Sequence, residues 1–180
     1  KDKKLLKLAT EAFNFIKNDM YDGSTLYHSN CNMINKHEGM LEDYAYIIRA
    51  GISIFEITND KQYLEFSITL SEILMNNFSD GDGMFFTSSQ FQKDIIIRNK
   101  QIIDNVMPNA NAIMIENFVK LFFLTGDIKY FELNKNIIQD YTSRINKEYF
   151  GICSFLNSLD FFNNYQSIII AGKNPINNRE

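Results

Sequence analysis

With 180 residues, the chain has room for one domain with a substantial core. Hydrophobic residues at 45% and charged residues at 22% exclude a disordered composition. The net charge of −4 comes with no basic cluster beyond Lys1, Lys3 and Lys4, which argues against a nucleic-acid partner.

No run reaches the ~18 apolar residues that a bilayer span needs: Lys120 interrupts the apolar stretch at 118–124, so no membrane partner is expected. Lys1 opens directly into a helical pattern, and no signal peptide is expected. Cys31 and Cys153 stand far apart without a second ligand pair, so neither a disulfide framework nor a metal site is indicated. The expectation is a cytoplasmic setting with no metal and no cofactor.

In chain order, Leu5, Leu8, Ala9, Ala12, Phe13 and Ile16 recur at three- and four-residue spacing and predict a first amphipathic helix. Asp22-Gly23 and then Thr25-Leu26-Tyr27 predict a loop carrying a short β segment. Leu41, Tyr44, Ala45, Ile48, Ile52 and Phe55 predict a second helix, and a third follows over 63–78. Asp80-Gly81-Asp82-Gly83 followed by Met84-Phe85-Phe86-Thr87 predicts another loop with a β segment. Helices over 112–124, 130–145 and 155–162 bring the number to six, an all-α class.

Two connections read as tight αα turns, at Asn59-Asp60 and Gly126-Asp127, with a left-handed cap and then an Asp that caps the next helix. Thr58, Asp60, Tyr63 and Glu65 match Thr125, Asp127, Tyr130 and Glu132 at a constant offset, and Asp22-Gly23 matches Asp80-Gly81. Such helix pairs must stack to bury their apolar faces, so residues 1–180 read as one domain of about three helical hairpins.

The run Glu38-Gly39-Met40-Leu41-Glu42-Asp43-Tyr44-Ala45-Tyr46 resembles the G-[FL]-L-[DE]-D-Y-A-[FY] motif of the spermatogenesis-associated protein 20-like family. In the same order, Gly83-Met84-Phe85-Phe86-Thr87 resembles the family's aromatic loop, Arg98-Asn99-Lys100 its R-x-K, and Asp104 with Pro108-Asn109-Ala110-Asn111-Ala112 its D-x-A-x-P-S-x-N-S. Leu124-Thr125-Gly126-Asp127, Leu159-Asp160-Phe161 and Ile168-Ile169-Ile170-Ala171-Gly172 match further features. The resemblance implies the later part of a six-hairpin α/α toroid, similar to glycosidases and sugar epimerases and joined in the family to a thioredoxin-like domain. The partners implied are a sugar ligand and either the preceding toroid segment or a second copy of the chain.

Paired carboxylates serve as acid and base in glycosidic chemistry, so Glu42 and Asp43 are the catalytic candidates, Asp43 because the family motif contains it. Their bland reading is favourable charge at a helix N-terminus. Arg49, Arg98 and Asp104 are candidates for substrate hydroxyls, against a default of surface ion pairs. Asn111 is a candidate ligand or a cap of the fourth helix. Phe86, with Tyr27 and Phe85, offers a face for stacking on a sugar, although core packing needs the same residues. His28 and His37 lack metal-site spacing and read as loop residues. The functional expectation is a sugar hydrolase or epimerase domain, with a non-catalytic helical interaction module as the alternative.

Overall fold

The computed structural model describes residues 2–79, 81, 83–93, 95–145 and 150–168. Asp80, Asp82 and the matched residues 169–172 lie outside them. The elements in order are α1 (Lys3–Asp19), β1 (Tyr27–Cys31), β2 (Ile34–Glu38), α2 (Leu41–Thr58), α3 (Lys61–Phe78), α4 (Ala110–Thr125), α5 (Ile128–Arg144) and α6 (Cys153–Asn164). No helix among the described residues is long and apolar enough to cross a membrane.

Two helical hairpins repeat one design. In each, a Thr hydroxyl near the end of the first helix donates to the carbonyl four residues back, Thr58 to Ile54 (2.8 Å) and Thr125 to Leu121 (2.7 Å). The same hydroxyl accepts the N–H of the next Asp, 3.2 Å in both cases. That Asp then caps the second helix, Asp60 accepting from Gln62 N and Asp127 from Lys129 N. Between them stand Asn59 (φ 59°) and Gly126 (φ 74°), both left-handed. The pairing across each hairpin repeats too, because Ser67 donates to Ile48 O and Asn134, at the equivalent place, donates to Ile115 O. Gly126→Val should therefore cost about 1–2 kcal/mol through the left-handed backbone, seen as a melting temperature lower by roughly 2–8 °C.

Helix α2 packs on α3 and α4, and α4 packs on α5 and α6, so α2, α4 and α6 form one layer with α3 and α5 outside it. Helix α4 is the centre: Ala112, Ile113, Met114, Ile115, Phe118 and Leu121 are all buried. At Gly51 three helices meet, since a Cβ there would lie 2.2 Å from Ser67 Oγ, 3.0 Å from Tyr63 O and 3.1 Å from Phe13 Cζ. Phe13 of α1 also packs edge-on to Tyr63 and Phe66 of α3.

Three sequence expectations change. The β segment after Asp22 becomes a full antiparallel hairpin, with Cys31 opposite Ile34 and with Asn32 and Met33 both at positive φ in the two-residue turn. Residues 84–87 form no strand, because their backbone is satisfied elsewhere: Met84 N–H by Asp140, Phe85 N–H and C=O by the Asn111 side chain, and Phe86 N–H by Phe78 O. Asn109, not Asn111, caps α4, accepting from Asn111 N and Ala112 N. At the other end of the layer, Phe155 of α6 is buried, its ring stacked on Tyr141 with centroids 3.9 Å apart.

A candidate carbohydrate cleft at the starts of α2 and α4

The layer of α2, α4 and α6 brings its helix starts to one end. Tyr46 Oη donates to Pro108 O (3.1 Å), joining the second turn of α2 to the entry of α4. Asp104 accepts from Asn109 N–H and from Ser154 N–H, each at 2.9 Å, and from the Ser154 hydroxyl, so it clamps the start of α4 to that of α6. Leu41 N–H donates to Thr87 O, fastening α2 to the long loop before α4.

Between these ends lies a cavity of about 350 Å³, whose walls include Glu42, Thr87, Gln101, Asn105, Met107 and Asn109. Among the described residues its lining carries no cationic side chain. A second cavity of about 330 Å³ shares Glu42 and Met107 and adds Tyr27, His28, Asp43 and Tyr46. Glu42 is thus the common wall. It sits in the first turn of α2, where the helix dipole favours a carboxylate, is exposed, and makes no hydrogen bond or ion pair among the described residues.

Asp43, the other catalytic candidate, has both oxygens engaged. It accepts the N-cap N–H of Met40 (2.8 Å) and faces His28 Nδ1 at 2.9 and 3.1 Å. That hydrogen bond, with the Asp43 charge behind it, raises His28 above its ordinary value; burial opposes the shift and Glu42 adds to it. Glu38 does not share a helix face with Glu42, because it ends β2.

The structure gathers Glu42, Arg49 and Asp104 around Tyr46, together with Glu116; burial raises the Tyr46 phenol, Arg49 lowers it and the three carboxylates raise it. Glu42, Tyr46 and Arg49 follow at i, i+4 and i+7 on one face of α2. Arg49 pairs with Glu116 at 3.2 Å, and Glu116 also accepts from Ser158, so the polar link runs from α2 through α4 to α6.

The remaining candidates serve the scaffold around the cleft. Asn111 touches the cleft wall but is 1% exposed, its amide committed to Phe85. Arg98 donates to Ser88 O and Asn77 O and lies 4.0 Å over the Phe86 ring, with Lys100 at 4.9 Å from the same ring. Phe86 therefore carries two cations against it. Two participants escaped the sequence reading. Tyr46 stood within the quoted motif, four residues after Glu42, whereas His28 reaches Asp43 from a hairpin that no local spacing links to α2. Among the described residues, no group of three or more His, Cys, Asp or Glu is placed to hold a metal ion.

This layered arrangement, with its polar cleft at the helix starts, is that of a six-hairpin glycosidase-like toroid segment. The chain matches the glycosyl hydrolase family 47 model over residues 2–167 and belongs to that family. It is similar to spermatogenesis-associated protein 20 of Rattus norvegicus, 30% identical over 135 residues covering 68% of this chain and 17% of that protein. The Homo sapiens protein of the same name is 27% identical over 139 residues, with the same two coverages. The chain thus spans about one-sixth of the length of the curated relatives it matches, and they bear out the resemblance carried by residues 38–46. Among solved structures, a GH76 α-mannanase of Bacteroides thetaiotaomicron superposes with a TM-score of 0.64 at 18% identity, over 90% of this chain and 46% of that one. At that identity the likeness shows the fold.

Proposed function

We propose that the cleft binds a neutral sugar and that Glu42 is its acid–base carboxylate in hydrolysis of a glycosidic bond. The observation that carries this is Glu42 itself, a carboxylate without a hydrogen-bond or ion-pair partner among the described residues, on the wall shared by two cavities; the other polar side chains of the first are amides and a hydroxyl, and the second adds two phenols with the His28–Asp43 pair. Amides and hydroxyls suit sugar hydroxyls, and a lining of the 350 Å³ cavity with no lysine or arginine among the described residues disfavours an anionic sugar. The solved neighbour is described as an α-mannanase, which makes an α-mannoside the first ligand to try. In this reading Asp43 positions, the Tyr46 oxygen, its proton given to Pro108 O, accepts from a sugar hydroxyl, Arg49 stays with Glu116 behind the cleft, and Asn111, Asp104, Arg98 and Phe86 hold the cleft's shape. The exposed free thiols of Cys31 and Cys153 suit a reducing cytoplasm. Calorimetric titration should give saturable heat with α-1,2-mannobiose and none with galacturonic acid; the reverse order would sink the neutral-sugar reading.

A second reading is favoured by the outer face of α1, where Leu5, Leu8 and Phe15 are 64%, 53% and 43% exposed. A further helical segment, either the preceding part of a toroid or a second copy, would cover them. Light scattering should show self-association of the isolated chain that Leu5→Lys with Leu8→Lys abolishes. A monomer at every concentration would remove the second copy as the cover.

A further inference from the structure

The second cavity gives Glu42 a companion. Asp43 is fixed at the start of α2 by the Met40 N–H, and an ionised carboxylate accepts, so His28 Nδ1 donates to it and the ring is held on a rigid element. His28 Nε2 makes no hydrogen bond among the described residues, and the ring lines the cavity that Glu42 also walls. The side chain is 49% exposed, enough to exchange a proton with water. The charged groups around it are Asp43 and Glu42 on α2, with Glu38 and His37 of β2 and Lys93 of the following loop lining its other side. Carboxylates outnumber cations there, which favours the imidazolium.

We propose that His28 is the second proton-transfer group of this cleft, the general acid that works with Glu42 as general base; the assignment rests on the glycosidase reading above. Glu42 takes a proton from water as the water oxygen bonds to the anomeric carbon. The glycosidic C–O bond breaks with its electron pair on the leaving oxygen, which receives the proton from His28 Nε2. One hemiacetal and one alcohol result, and the protonated Glu42 and neutral His28 return to their starting forms through solvent.

The test compares two substrates. His28→Gln should lower kcat on α-1,2-mannobiose by roughly 10²–10⁴-fold, the usual worth of a general acid, with KM little changed. On 4-nitrophenyl α-mannoside, whose leaving group departs without a proton, the same variant should keep nearly the wild-type rate, while Glu42→Gln loses both. In the wild type the alkaline limb of the mannobiose pH–rate profile should coincide with the His28 titration followed by NMR, and Asp43→Asn should move both downward together. Equal losses on the two substrates, no loss on either, or a limb that ignores Asp43→Asn would overturn the role of His28. A wild-type chain that binds no mannobiose overturns the glycosidase reading itself, and this assignment with it.

Discussion

Asn111→Leu is expected to be among the most destabilising single changes in the chain. Asn111 bridges the backbone of Phe85, accepting its N–H at 2.8 Å and donating to its carbonyl at 3.0 Å, and both residues are buried. Leucine fills similar space but satisfies neither group, and a buried backbone group left without a partner costs about 1–3 kcal/mol. Two such groups give a loss of about 2–5 kcal/mol, or a melting temperature lower by roughly 5–15 °C for a domain of this size. Asn111→Asp keeps the acceptor and loses the donor, so its loss should fall between. Thermal denaturation of both variants decides whether Asn111 shapes the cleft or contacts ligand, because a ligand residue would lower sugar affinity while leaving the melting temperature in place.

Glu42→Gln should produce the opposite signature: turnover lower by about 10²–10⁴-fold with an unaltered melting temperature. The carboxylate has no hydrogen-bond or ion-pair partner among the described residues and stands exposed in the first turn of α2, where its exchange for an amide forfeits little beyond a dipole interaction of about 0.3–1 kcal/mol. An activity that survives Glu42→Gln places the proton chemistry on another residue. A protein that unfolds instead would mean that Glu42 holds structure the geometry does not reveal.

The contrast between these two residues shows what the sequence could disclose. The helices were legible because three- and four-residue apolar spacing records which face is buried, and Leu41, Tyr44, Ala45, Ile48 and Ile52 are all buried on α2. The turns were legible because Thr58 and Thr125, with the Asp two residues on, do all their work within six residues. What escaped depends on contacts across the fold. His28 meets Asp43 across 15 positions, from a hairpin whose turn residues Asn32 and Met33 gave little warning of it. Residues 84–87 have strand-like composition yet spend their hydrogen bonds on Asn111, Asp140 and the end of α3. Asp104 and Arg98 looked like surface charges, and both hold loop backbone in place.

The pairing of His28 with Asp43 also predicts a pH dependence of stability. His28 is raised in the folded chain, so the stabilisation it brings is full below its unfolded value and is lost as pH rises through the folded one. Urea midpoints should therefore fall as pH rises from the ordinary histidine value through the raised one of the folded chain, and this part of the fall should vanish in His28→Gln. An equal fall in the variant would assign it to other groups.

The central claim is that a sugar sits at the starts of α2 and α4, and amide chemical-shift mapping of the labelled chain with α-1,2-mannobiose tests it most directly. Shifts concentrated at Glu42, Asn105, Asn109 and Ala110, and saturating with the calorimetric affinity, are the predicted result. Saturable shifts confined to the exposed face of α1, or to Phe91, Ile96 and Ile97, with the α2 and α4 starts unmoved, would contradict it.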